Sequence, residues 1–254
     1  MLHINEFLVN KKINKKIDNY EVVATDKNHL IELIREASKT NRYDLNYINV
    51  HNIIDMSNLF NSISDKFMSK VDISRWDVSN VEDMSNMFND CLSFNSNISN
   101  WDVRNVKDMS YMFHGCIHFN CDIGNWDVSN VKNMTCMFTG CEEFNQPLDK
   151  WNTSNVDNMC HMFDGCIVFN QDISGWDVRK VTDMRYMFAN CWEFDQPIEN
   201  WQLDSIRNID GMFYNASKFS KDISSWNIDY NKVTFRLSNT VFGAKNMPKP
   251  DWLF

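Results

Sequence analysis

From about residue 45 to residue 230, the apolar positions of the chain return every 25 residues. Trp76, Trp101, Trp126, Trp151, Trp176, Trp201 and Trp226 keep that step without a slip. Phe88 to Phe213 and Phe94 to Phe219 form two further columns at the same step, and Cys91, Cys116, Cys141, Cys166 and Cys191 form a fourth that ends in Ala216. Within one unit, Val81, Met84, Phe88 and Cys91 stand at i, i+3, i+7 and i+10, with Met87 widening the stripe. That spacing predicts a short amphipathic helix. Asn80 falls at its N-cap with Asp83 three residues on, Asn105/Asp108 repeat the arrangement, and Asn130 and Asn155 keep the cap. Ahead of it, Ile73, Trp76 and Val78 place β-branched or aromatic residues inward along a stretch that predicts a short strand.

One such unit cannot bury its apolar face alone, but stacked copies cover one another. The expected fold is therefore an α/β solenoid, leucine-rich-repeat-like, with one short parallel strand and one short helix per 25-residue coil. Its strands would form ladders of identical residues about 4.8 Å apart, with the helices on the opposite face. A degenerate unit precedes the regular ones: Ile48, Val50, Ile53, Met56 and Phe60 superpose on Trp76, Val78, Val81, Met84 and Phe88. The step between the two is 28, which places a three-residue insertion near Ser64–Ser69 and gives about eight coils in all. Residues 1–44 then form an N-terminal cap, 45–230 the array and 231–254 a C-terminal cap. In the first cap, Tyr20–Ala24 reads as a strand. Asp26 caps a helix running to about Lys39 with Leu30, Ile31, Leu33 and Ile34 on its apolar side, and residues 3–18 read as a further short helix bearing lysines. In the second, Thr240–Ala244 echoes the repeat and Pro248–Phe254 folds over the last coil.

The string Trp126-Asp-Val-Ser-Asn-Val-Lys-Asn-Met, followed by Met-Phe, Cys and Phe-Asn, resembles the repeat of the BspA-like leucine-rich-repeat group of bacterial surface proteins. The same repeat occurs in mycoplasma and listerial surface lipoproteins and in amoeba-infecting giant viruses. The resemblance implies a leucine-rich-repeat-like solenoid with a binding or adhesion role, a contact surface on the sheet face, and no catalytic residues. The Asn-, Ile- and Lys-rich composition fits an AT-rich genome and a giant virus as its source.

Composition sharpens this picture. With 43% hydrophobic and 23% charged residues the chain is one that folds. No apolar run approaches the roughly 20 residues of a membrane helix. A net charge of −9 disfavours nucleic acid, whose phosphates require clustered Lys and Arg, and favours a protein partner that is basic or of mixed charge. Phe7-Leu8-Val9 is too short for a signal-peptide core and the first cysteine is Cys91. The expectation is an intracellular monomer with reduced thiols, in host cytoplasm if viral; the alternative is an adhesin or structural protein of a virion or cell surface.

Enzymatic motifs are absent: there is no Gly-rich phosphate loop, nucleophile elbow or His-Glu-x-x-His, so no catalytic residue, metal or cofactor is assigned. The cysteine column reads as core packing, while Cys136 and Cys160 fall on the outer helix face as exposed thiols. His114, Cys116, His118 and Cys121 are the most metal-like cluster, and they read as loop and core residues. The tryptophan column packs inward, Trp192 stands outside it and is expected at the surface, and Asn95, Asn120, Asn145 and Asn170 form an amide ladder that satisfies turns. The candidate site is the outward row of Asp77, Asp102, Asp127 and Asp177, between the inward Trp and Val positions, with Arg104, Arg179 and Asp204 at the place two residues on. Like charges about 5 Å apart repel by roughly 1 kcal/mol even in water, so something offsets them. Either neighbouring N–H groups and Arg104 and Arg179 do so, or the row is an acidic surface that a basic partner or a cation neutralises.

Overall fold

The computed structural model describes residues 21–226, 228–229 and 240–248. The helix expected over residues 3–18 and most of the C-terminal segment lie outside these residues. The array opens with strand β1 (Val22–Val23), helix α1 (Lys27–Thr40) and strand β2 (Ile48–Asn49). β1 and β2 pair in parallel, Val22 against Ile48. Asp26 caps α1 by accepting from the His29 N–H at 3.0 Å, and Asn41 ends it in a left-handed conformation at φ 55°. Leu30, Ile34 and Ala37 are buried in the same core as the first repeats, so α1 covers that end of the array. Helix α2 (Asp65–Met68) occupies the expected insertion and sends Phe67 and Met68 into the core.

Successive repeats lie side by side in the register that the 25-residue step demands. Phe88 and Phe113 stack at 5.6 Å, Phe113 and Phe138 at 5.7 Å, and Trp101 and Trp126 at 6.5 Å. Phe88 also stacks on Phe94 of its own repeat at 3.9 Å, so the two phenylalanine columns knit into one interior. Tryptophan and cysteine columns are buried throughout. Their polar atoms are satisfied across the repeat boundary. The Trp126 indole N–H donates to the Ile98 carbonyl at 3.1 Å, and the Cys141 thiol donates to the Phe113 carbonyl at 3.0 Å, as do their counterparts in neighbouring repeats. Burial pushes the Cys91 thiol up to about 12 and those of Cys116, Cys141 and Cys166 well above the ordinary range, as befits inert packing groups.

In the first repeat β2 falls where the strand was expected; in the later ones, among the described residues, the expected helix and strand are not there. Among the described residues α2 is the only helix within the array, and the segment from Met84 to Cys91 is a string of tight turns. Met87, Asn89 and Cys91 each donate a backbone N–H to the residue three back. The N–H groups of Met84, Asn86, Phe88 and Asp90 instead leave the repeat, bonding to the carbonyls of Asp108, Ser110, Met112 and His114 at 2.7–3.0 Å. The same pattern follows in the later repeats. Every second turn needs a left-handed residue, and Asn86 and Asp90 supply φ of 57° and 59°; Gly115, Gly140, Gly165, Asn190 and Asn215 hold the Asp90 position afterwards.

The reason is spacing. Packed helices need 8–10 Å between axes, whereas both ring columns repeat at about 6 Å, so no helix fits one rung of this stack. Beyond β1–β2 and a bridge between Asp44 and Asp72, the recurring parallel pairing among the described residues is a ladder of isolated bridges through Asp55, Asp83, Asp108, Asn133, Asn158, Asp183 and Asn208. It therefore lies beyond Val81, and the expected strand over Ile73–Val78 is a turn closed by Trp76 N–H to Ile73. Nor does Asn80 cap a helix. Its side-chain amide donates to the His51 carbonyl, Asn105 to Ser79 and Asn130 to Arg104, each tying a repeat to the one before.

Candidate functional site

The Asp and Arg row sits on a column of turns rather than on a sheet face. Four of its five acidic residues accept, through Oδ1, the backbone N–H two residues on: Asp77 from Ser79, Asp102 from Arg104, Asp127 from Ser129 and Asp177 from Arg179, at 3.1–3.3 Å. Asn152 does the same for Ser154. This local closure is what Asp and Asn do best, and it fixes the carboxylates in register. Arg104 and Arg179 fold back on Asp102 and Asp177, with Nε to Oδ1 at 2.8 and 2.9 Å. Arg104 also feels Asp127 of the next repeat, and Arg179 feels Asp204. The structure thus brings all seven expected residues into one ribbon, and the like-charge repulsion is offset by turn N–H groups and by the two guanidiniums.

Sequence reasoning missed His51. It occupies the Ser79, Arg104 and Arg179 register of the degenerate first repeat, and its Nδ1 lies 2.8 Å from Asp77 Oδ2. The alignment of that repeat on the next already sets it opposite Ser79, within the row. His51 also lines a shallow cleft of about 470 Å³ together with Asn52, Ile54, Asn80, Glu82 and Asn105. The row therefore runs from this cleft to Asp204.

The hydrogen bond from the Arg179 side chain holds the Asp177 carboxyl at about 2, and the Ser129 side chain and N–H hold Asp127 low as well. For Asp77, burial works in the opposite direction, but the bonds from Ser79 and His51 outweigh it. Carboxyls lowered in the folded state stabilise it above the unfolded value of about 3.9, and that contribution is lost as pH falls toward the folded values. The melting temperature is thus expected to be level from pH 6 to 5 and to fall progressively from about pH 4 to 2 in thermal melts followed by circular dichroism. Asp177→Asn, which keeps the turn acceptor, makes that fall shallower. A melting temperature unchanged down to pH 2.5 contradicts the assignment.

The other candidates resolve differently. Cys136 and Cys160 are buried, not exposed: they sit in the turn ribbon, where Tyr111 and Arg185 of adjacent repeats lie against them. Cys116 faces the core, His118 pairs with Glu143 at 2.8 Å, and His114 stands 3.6 Å from Asp90, so these side chains point to separate partners. Among the described residues no group of three or more His, Cys, Asp or Glu is placed to hold a metal. The Asn95 column is an amide ladder as expected, with Asn95 Oδ1 accepting from the Asn120 N–H at 2.9 Å and Asn120 Oδ1 from Asn145 at 3.0 Å. Trp192 is half exposed, as expected. No described helix is long and apolar enough to cross a membrane.

Comparison with known proteins is consistent with this repetitive build. No curated protein and no solved structure matches the chain. The family model described as "Mycoplasma protein of unknown function, DUF285" matches residues 4–71, 62–164 and 141–249, and these overlapping segments follow the array from end to end. The chain, a repeat protein in which one motif recurs in register, therefore belongs to the DUF285 family.

Proposed function

We propose that the protein is a non-enzymatic interaction scaffold: a leucine-rich-repeat-like solenoid of about eight coils, akin to the BspA-like group, that binds a basic or mixed-charge protein partner along the Asp and Arg row. One observation carries this reading. Five carboxylates, Asp77, Asp102, Asp127, Asp177 and Asp204, share one ribbon with only two guanidiniums, and four of them are anchored through Oδ1 to backbone N–H groups. Anchored charges cost little further ordering when a partner arrives, so complementarity across several rungs adds up.

The test uses Asp102→Asn, Asp127→Asn and Asp177→Asn together. Asn keeps the Oδ1 acceptor, as Asn152 does in the same column, so the charge is removed and the turns stay closed. Partners captured by the wild-type chain are expected to bind the triple variant roughly tenfold or more weakly, with a steep salt dependence. Equal capture by both proteins would refute the assignment.

A further inference from the structure

A second surface on another edge of the stack has a different chemistry. The turn residue that follows each core cysteine forms its own column: Leu92, Ile117, Glu142, Ile167 and Trp192. Backbone bonds hold these turns rung to rung, His118 N–H to the Leu92 carbonyl, Glu143 to Ile117 and Glu193 to Ile167, each at 3.2 Å. Beneath them the Phe94, Phe119, Phe144, Phe169 and Phe194 rings stack at 5.8–6.1 Å, which sets the pitch of the ridge. Leu92 is 43% exposed and Trp192 50%, and Val168, next to Ile167, is 39% exposed. Ile117 and Ile167 are half-buried, so the column joins two exposed ends, Leu92 and Val168–Trp192, through partly covered aliphatic residues.

The charges on this ridge are uneven. Glu143 pairs with His118, and Glu193 with Lys218, both across a repeat boundary. Glu142 is exposed in the middle of the apolar column, one rung from Ile117 and one from Ile167, and among the described residues no cation meets it. We propose that this ridge docks an amphipathic segment of a protein partner, which lays apolar side chains on Leu92–Ile117 and on Ile167–Val168–Trp192 and sets a Lys or Arg on Glu142. A half-exposed Trp beside aliphatic neighbours is the usual anchor of such a contact, and a lone carboxylate within the patch fixes the register of what binds. The ridge is separate from the Asp and Arg row, so either can fail alone.

The experiment measures fluorescence anisotropy of three labelled synthetic peptides with the full chain: an amphipathic Leu/Lys peptide, the same peptide with Glu for Lys, and the same with Ser for Leu. The Leu/Lys peptide is expected to bind at least about tenfold tighter than either control. Trp192→Ser and, independently, Val168→Ser weaken it about five- to tenfold, and Glu142→Gln about threefold, with thermal melts unchanged because all three side chains are exposed. The triple Asp→Asn variant of the row leaves the affinity within about twofold, which separates this surface from the proposed scaffold face. Three results overturn the proposal: binding indifferent to Trp192 and Glu142; binding lost equally in the triple Asn variant, as general acidity would give; or a ridge occupied otherwise. The last would appear as a dimer in sedimentation equilibrium, or as binding to anionic vesicles, that Trp192→Ser abolishes.

Discussion

Replacing Trp126 with Ala is expected to cost about 3–5 kcal/mol in urea unfolding, the range for removing a large buried aromatic. Trp126 is 3% exposed, stacks on Trp101 at 6.5 Å and reaches Phe113 at 6.4 Å. Its removal opens a cavity between rungs that cannot collapse, because the rungs are fixed by backbone bonds on both sides. It also leaves the Ile98 carbonyl without its indole donor. Trp126→Phe separates the two effects: most of the ring stays and the donor is lost, so the cost is about 1–3 kcal/mol. Repeats touch only their neighbours, so a break in mid-array is further expected to split the single unfolding transition into two. A loss below about 1 kcal/mol for the Ala variant would mean that the tryptophan column does not hold the array together.

The second large effect has a sign that distinguishes turns from helix. In a helix, replacing Gly140 with a residue bearing a side chain stabilises, by up to about 1 kcal/mol for Ala. Here Gly140 sits at φ +73°, with Gly115 Cα 3.7 Å from where its Cβ would be. Gly140→Val is therefore expected to destabilise by about 2–4 kcal/mol, chiefly through left-handed strain for a β-branched residue, since the Cβ itself only touches Gly115 of the preceding rung. Gly140→Asn should cost under about 1 kcal/mol, since Asn190 and Asn215 hold that position at φ 55° and 58°. Chemical denaturation of the three proteins decides it, and a stabilised Val variant would restore the helix.

That contrast shows where the sequence was legible and where it was not. The 25-residue register, the inward tryptophans, the Asp26 cap, the insertion filled by α2 and the Asn95 amide ladder all follow from residue identity and spacing. The helix did not survive, because overlapping turns put Val81, Met84, Phe88 and Cys91 on one side at the same intervals as a helix does. The distinguishing signal was the column Asp90, Gly115, Gly140, Gly165, Asn190, Asn215, composed of residues that tolerate positive φ. In the candidate site, the outward Asp and Arg residues were visible from their alternation with Trp and Val. Their anchoring to turn N–H groups was open between two readings until the backbone was known. His51 stood in the aligned register but opposite an uncharged Ser79, which hid its role, and the ridge was hidden by Glu142, which interrupts an otherwise apolar column.

The turn ribbon has one more property. In the five repeats from Met84 to Asn190 the N–H groups at the Met84, Asn86, Phe88 and Asp90 positions all aim toward the next repeat. Their small dipoles add along the stacking axis, as peptide units do along a helix, so the ribbon is electrically polar, with its positive pole at the far end. There the chain turns its own oxygens to meet it: the carbonyls of Thr240 and Phe242 accept from Phe213 and Asn215 at 2.8 and 2.7 Å, insulating an end that would otherwise attract anions.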